Sequence, residues 1–157
     1  MIMDLTTTIY IKLTEKAKEL QTKLDIDFVP KKTTPGAAAC DLRVTESKMI
    51  NPGDIVRFPL GIMTQIDPDY YAEVHPRSGW GSMGVTLVNS TGIIDSDYRG
   101  EWQAALINLS DKTVYVQEGD RVCQFIIKRK VNSQVVEVTE LDQTGRGIGG
   151  FGSTGTK

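Results

Sequence analysis

The sequence predicts an all-β, single-domain protein, a β-barrel or jelly-roll-like body with one short helix and a glycine-rich C-terminal arm. Three observations predict it. Turn signals recur about every 8–12 residues, at Asn51-Pro52-Gly53-Asp54, Asp67-Pro68-Asp69, Pro76-Arg77-Ser78-Gly79, Asp111-Lys112 and Glu118-Gly119-Asp120. Short β-type runs lie between them, at Ile55–Leu60, Tyr70–Val74, Thr113–Val116 and Val122–Ile127. Only one stretch carries apolar residues at helical spacing.

In order, Thr8 to Leu13 alternates as a short strand, and Thr14 to Leu24 forms the helix. Thr14 can cap it, while Ala17, Leu20 and Leu24 recur at a spacing of three to four. The helix is lysine-rich and is expected at the surface. Pro30, Pro35 and Gly36 frame a loop before the cluster Ala37-Ala38-Ala39-Cys40, after which Leu42 and Val44 continue a strand. Val131 to Leu141 is expected to supply the last strand. The body is placed at 1–144 and the arm at 145–157.

A chain of 157 residues, 39% of them hydrophobic, can bury one sizeable core but not two ordinary ones. A net charge of −2 makes no case for nucleic acid or an anionic membrane. No apolar run approaches the ~20 residues that span a bilayer, and no basic-then-apolar leader opens the chain, so a soluble cytoplasmic protein is expected. Cys40 and Cys123, 83 positions apart, have no zinc-finger spacing and read as reduced core residues. His75, the single histidine, reads as a polar residue at a strand end, since no nucleophile elbow accompanies it.

The chemistry centres on Gly92-Ile93-Ile94-Asp95-Ser96-Asp97-Tyr98-Arg99-Gly100. Apolar residues run into it (Val85, Leu87, Val88) and out of it (Trp102, Ala104, Leu106), which predicts a hairpin of two buried strands tipped by polar groups. Asp95 directly follows Ile93 and Ile94, so it is expected to be held and partly desolvated, as a general base requires. Asp97 is expected to face solvent.

Six of the eleven residues from Gly145 to Gly155 are glycine, which excludes a stable helix there. Gly147 to Gly152 matches G-x-G-x-x-G, but only five residues follow and no helix can receive a pyrophosphate, so the dinucleotide reading fails. The kinase-type glycine loop fails because no strand with its lysine follows. What remains is an arm carrying Arg146, Phe151, Ser153 and Thr154, suited to a phosphate ester and a base ring.

Five segments combine polar groups with glycine or a tight turn: Ala39-Cys-Asp41-Leu-Arg43, Pro76-Arg77-Ser78-Gly79-Trp80-Gly81, Gly92–Gly100, Gly119-Asp120-Arg121-Val-Cys-Gln124 and the arm. In this order they closely resemble the five motifs of the homotrimeric dUTPase family, from about Tyr10 to the C-terminus. Ala39-Cys40 and Trp80-Gly81 depart from the usual family residues, and Thr14–Gly36 is longer than the usual N-terminal hairpin.

The resemblance implies a dUTPase-like β-clip fold and hydrolysis of dUTP to dUMP and pyrophosphate with Mg²⁺, removing dUTP from the nucleotide pool and supplying dUMP for thymidylate synthesis. It implies that Asp95 activates the attacking water and that Asp41 supports the site through water near the metal. Arg77, Ser78, Gly79 and Gln124 would hold phosphates or the catalytic water. Tyr98 would lie against the deoxyribose, and Asn89 with backbone groups of Gly92, Gln103 and Ala105 would read the uracil. Phe151 would cover the base, with Arg146, Gly152, Ser153 and Thr154 at the γ-phosphate. Three subunits would share each site, and magnesium would be held mainly by substrate phosphates and water. Deoxycytidine triphosphate deaminases resemble the same fold, but their catalytic glutamate falls at Ala105, which cannot shuttle a proton. A non-enzymatic nucleotide sensor that keeps the pocket is the remaining alternative.

Overall fold

The computed structural model describes residues 7–150. Among these described residues eleven strands and two helices follow one another: β1 (Tyr10–Leu13), α1 (Glu15–Leu24), β2 (Cys40–Arg43), β3 (Lys48–Ile50), β4 (Ile55–Pro59), β5 (Ile62–Gln65), β6 (Tyr70–Pro76), α2 (Ser78–Ser82), β7 (Val85–Leu87), β8 (Gly92–Ile94), β9 (Gln103–Asn108), β10 (Val114–Val116) and β11 (Arg121–Arg129). Every pairing is antiparallel, within sheets ordered β1-β5, β10-β3, β2-β11-β6-β8 and β4-β9-β7. The all-β expectation holds. The sheets do not close into a barrel, because they remain four separate ladders among the described residues.

Alternation along the strands buries one face. Leu42, Ile50, Phe58, Ile62, Ala72, Val74, Leu106, Val122 and Phe125 meet in a single core. Trp102 is its largest fully buried side chain, edge-on to Phe125 at 5.3 Å between ring centroids, and its indole N–H donates to Thr64 Oγ1 at 3.2 Å. Such a buried donor would otherwise be costly.

Helix α1 forms where the spacing predicts. The Thr14 hydroxyl accepts from the Ala17 amide at 3.2 Å, and Asp25 ends the helix in the left-handed region at φ 53°. Ala17 and Leu20 pack with Phe28 into a small second core. Gly61, at φ +71°, lets this annex dock: a Cβ there would stand 2.7 Å from both Ala17 Cβ and Thr45 Cγ2.

Several expectations need correction. The two runs flanking Gly92–Gly100 do pair antiparallel, as β7 with β9, but the link between them is not a short hairpin tip, since it carries β8, which pairs with β6. It is instead a crossing between two sheets. Ile93 is 56% exposed, so Asp95 does not follow a buried pair and is itself exposed in the single chain. Val131 to Leu141 forms no strand: Val135 is 95% exposed, and the segment has no strand of its own chain to pair with among the described residues. Strands β3, β5 and β8 and the helical turn α2 are additions to the sequence reading. Both cysteines are free thiols, Cys123 buried and Cys40 partly so, and His75 sits near the end of β6 as expected. No helix among the described residues is long and apolar enough to cross a membrane.

Candidate active site

Register brings the first group of polar residues together. On the central sheet Asp41 of β2 lies opposite Gln124 of β11, and Gln124 lies opposite His75 of β6. Leu42 points into the core, so its neighbours Asp41 and Arg43 point out. Strand β6 ends at Pro76, and the chain turns through Arg77 into α2, which sets Arg77, Ser78 and Gly79 beside Asp41.

Two guanidinium groups grip the Asp41 carboxylate. Arg77 Nε stands 2.8 Å from Oδ1, and Arg121 Nη1 stands 3.0 Å from Oδ2. The Arg121 carbonyl in turn accepts from Arg77 Nη1 and from the Trp80 indole N–H, each at 2.9 Å. Gln124 Nε2 donates to the Pro76 carbonyl at 3.0 Å, fixing the amide at the mouth of the cleft. Arg43 is pinned by the carbonyls of Asp27 (3.1 Å) and Gly119 (2.7 Å). Burial, followed by the charge of Arg121, lowers the Arg43 pKa. The result is a cleft of about 730 Å³ lined by Asp41, Arg77, Ser78, Gly79, Arg121 and Gln124. Three arginines gather around one aspartate, an arrangement suited to a polyanion.

The second group lies elsewhere on the chain. Ser90, at φ 57°, turns β7 into β8, and a Cβ at Gly92 would meet Asn89 Nδ2 and Val74 Cβ at 3.4 Å. Gln103 and Ala105 lie on β9 opposite Pro59 and Arg57, and the Ala105 carbonyl already accepts from the Val88 amide at 2.9 Å. The Tyr98 ring lies over Gly100, where a Cβ would come within 2.4 Å of its hydroxyl, and that hydroxyl donates to the Glu101 carbonyl at 3.2 Å. Asp95 and Asp97 are both exposed, and Arg99 bonds the Ser96 carbonyl at 2.7 Å.

The two groups do not meet within one chain. Ile94 pairs with Ala72, so Asp95 leaves the sheet beside Tyr71, six residues along β6 from Arg77. At ~3.3 Å per residue that is roughly 20 Å. In the arm, Arg146 is exposed and donates to the Gly149 carbonyl at 2.9 Å. Phe151, Gly152, Ser153 and Thr154 lie outside the described residues.

Sequence reasoning singled out Asp41, Arg77, Ser78, Gly79 and Gln124, which the fold brings together. It quoted Arg121 and Trp80 without assigning them to the site. Arg121 had a signal, since it opens the same strand as Gln124 directly after the Gly119-Asp120 turn. Trp80 had none, because its partner is a backbone carbonyl 41 residues away.

For a metal, the donor set among the described residues has no group of three or more histidine, cysteine or carboxylate side chains. Both Asp41 oxygens are occupied by guanidinium groups. These residues fit a magnesium ion carried by a ligand's phosphates and water better than a protein cage.

An antiparallel β body with an arginine-lined cleft of this size suits a protein whose ligand carries several phosphates. Comparison with known proteins makes the class particular. A family model described as dUTPase matches residues 27–155. A "Deoxyuridine 5'-triphosphate nucleotidohydrolase" of Caldanaerobacter subterraneus subsp. tengcongensis is 40% identical over 148 residues, covering 92% of this chain and 95% of the relative. Among solved structures, a mutant dUTPase of Staphylococcus bacteriophage 80alpha with dUpNHpp has a TM-score of 0.80 at 20% identity, covering 96% of this chain and 99% of that one. A mutant dUTPase from phage phi11 of S. aureus, described with a structural Mg(II) ion, has a TM-score of 0.73 at 18% identity, covering 87% and 99%. The chain belongs to the dUTPase family.

Proposed function

We propose that the chain hydrolyses dUTP to dUMP and pyrophosphate in a site assembled from three copies of itself. The observation that carries this reading is the Asp41–Arg77–Arg121 cleft lying roughly 20 Å from Asp95 along the same chain. A general base must come within hydrogen-bond reach of the water it activates. A polyphosphate held at Arg77 therefore requires the Asp95 of a second copy, and the arm of a third closes the site.

Within that site Arg77, Ser78, Gly79 and Gln124 hold the phosphate oxygens and the water. Asp41 keeps the two guanidinium groups fixed so that they present their remaining N–H donors. Asp95 takes the proton as the water oxygen attacks the α-phosphorus, and the bond from that phosphorus to the α,β-bridging oxygen breaks, releasing pyrophosphate. Positioning and charge neutralisation carry most of the work in such a transfer. Bound Mg²⁺ would supply further neutralisation of the phosphate chain, with Asp41 reaching it only through water. Asn89, Gly92, Gln103 and Ala105 read the uracil edge, and Tyr98 leaves no space for a 2′-hydroxyl. Phe151 covers the base, and Arg146, Gly152, Ser153 and Thr154 take the γ-phosphate end. The reaction removes dUTP from the nucleotide pool and leaves dUMP for thymidylate synthesis.

The test is a product assay with dUTP, dCTP, dTTP and UTP. Formation of dUMP and pyrophosphate from dUTP, with little turnover of the other three, is expected. Deamination of dCTP, or binding without turnover, would replace this reading with the deaminase or the sensor.

A further inference from the structure

The β2–β11 ladder contains an irregularity beside the cleft. Arg121 pairs with Arg43 and Cys123 pairs with Leu42, so two steps on β11 match one on β2 and the register shifts between them. A bulge of this kind interrupts the ladder and re-aims the side chains on either side of it. Here the two neighbours re-aimed are Arg121, which grips Asp41, and, three residues on, Gln124.

A bulge left to itself is a soft place, because the ladder no longer defines its carbonyls. The Arg121 carbonyl is instead held by two side chains of the segment after β6, Arg77 Nη1 and the Trp80 indole N–H, both at 2.9 Å. Arg77 also grips Asp41 through Nε at 2.8 Å. Asp41, Arg77 and Arg121 thus close a ring, and Trp80 is the one member of the cluster that touches none of the charges. Its ring packs partly buried against the main core, so the N–H comes from a fixed platform.

We propose that Trp80 is a positioning residue for the phosphate cleft: its indole N–H fixes the Arg121 carbonyl in the β11 bulge and so sets the Arg77 and Arg121 guanidinium groups against Asp41. This rests on the cleft being the phosphate site. Trp80 contacts no substrate and acts only through the two arginines.

Trp80→Phe keeps an aromatic ring against the core and removes the indole N–H donor, together with part of the ring. Calorimetry with pyrophosphate reads the cleft without turnover, and its affinity should fall about three- to tenfold, the worth of one lost hydrogen bond. The kcat/KM for dUTP should fall by a similar factor. Inhibition by deoxyuridine, which carries no phosphate, should stay at the wild-type value, while the thermal midpoint should fall only by about 2–4 °C, as one lost hydrogen bond and a smaller ring require. Combined with Arg77→Lys, the two losses should amount to less than their product, because both act through one carbonyl. Unchanged pyrophosphate affinity would overturn the proposal, as would losses that multiply independently. An equal loss of deoxyuridine binding would reduce Trp80 to a packing residue and overturn it too. If Trp80→Phe fails to fold, the wild type carries the test: solvent exchange of the Trp80 indole N–H, followed by NMR, should slow when pyrophosphate binds, by reciprocity of coupling. No change in exchange would overturn it. Pyrophosphate binding by a wild type that does not hydrolyse dUTP would sink the functional reading alone.

Discussion

Asp95 and Asp41 are both carboxylates, yet their surroundings give them opposite tasks. Asp41 is 15% exposed at its side chain and locked between two guanidinium groups, so its task is to organise cations. Asp95 is exposed and unencumbered, free to meet a ligand held by another copy. Asp95→Asn should therefore bind a non-hydrolysed dUTP analogue with near wild-type affinity while kcat falls ~10²–10⁴-fold, the usual contribution of a general base. Activity near wild type would remove Asp95 from the role. Cys123 offers a separate check on the core. Burial pushes its thiol up to about 12, so at pH 8 only ~10⁻⁴ of it is thiolate. An alkylating reagent followed by mass spectrometry should leave Cys123 unmodified in the native protein and label it in denaturant. The residue types of the cleft were legible because arginine, serine and glycine in one turn have few structural uses together. The exposure of Asp95 was not, because Ile93 looks like a core residue whether it faces inward or another chain.

At the scale of elements, the helix was readable from its own residues: a threonine cap and apolar positions three and four apart are local signals. Strand partners are not local: the pairing of β7 with β9 was readable from the apolar runs, whereas β8, inserted between them and paired with β6, was not. The bulge at Arg121 was invisible for the same reason. Val131 to Leu141 has a strand's composition and no strand's hydrogen bonds in the single chain, and an exposed backbone of that kind is a template for pairing with another chain. The docking of α1 yields the sharpest prediction here. Gly61→Ala would force a Cβ into Ala17 and Thr45 at 2.7 Å and strain a backbone at φ +71°. Chemical denaturation should report a loss of about 2–4 kcal/mol, from overpacking plus the left-handed penalty. A loss under about 0.5 kcal/mol would mean that the annex shifts freely and is not part of the cooperative core.

At the scale of the whole molecule, one chain holds all the described parts and cannot bring them together. Asp95→Asn subunits and subunits truncated before Arg146 should each be nearly inactive. Co-refolded in equal amounts they should recover activity, since the proposed site takes an intact base from one copy and an intact arm from another. Random assembly around a three-fold ring makes that about one site in four. If mixed trimers form and no activity returns, base and arm come from the same chain. The roughly 20 Å between Asp95 and Arg77 along β6 also bears on inheritance. A cell with one normal gene copy and one encoding a chain defective in both base and arm would keep about a quarter of its sites, not half. Such an allele would be partly dominant, poisoning partners that carry no lesion of their own.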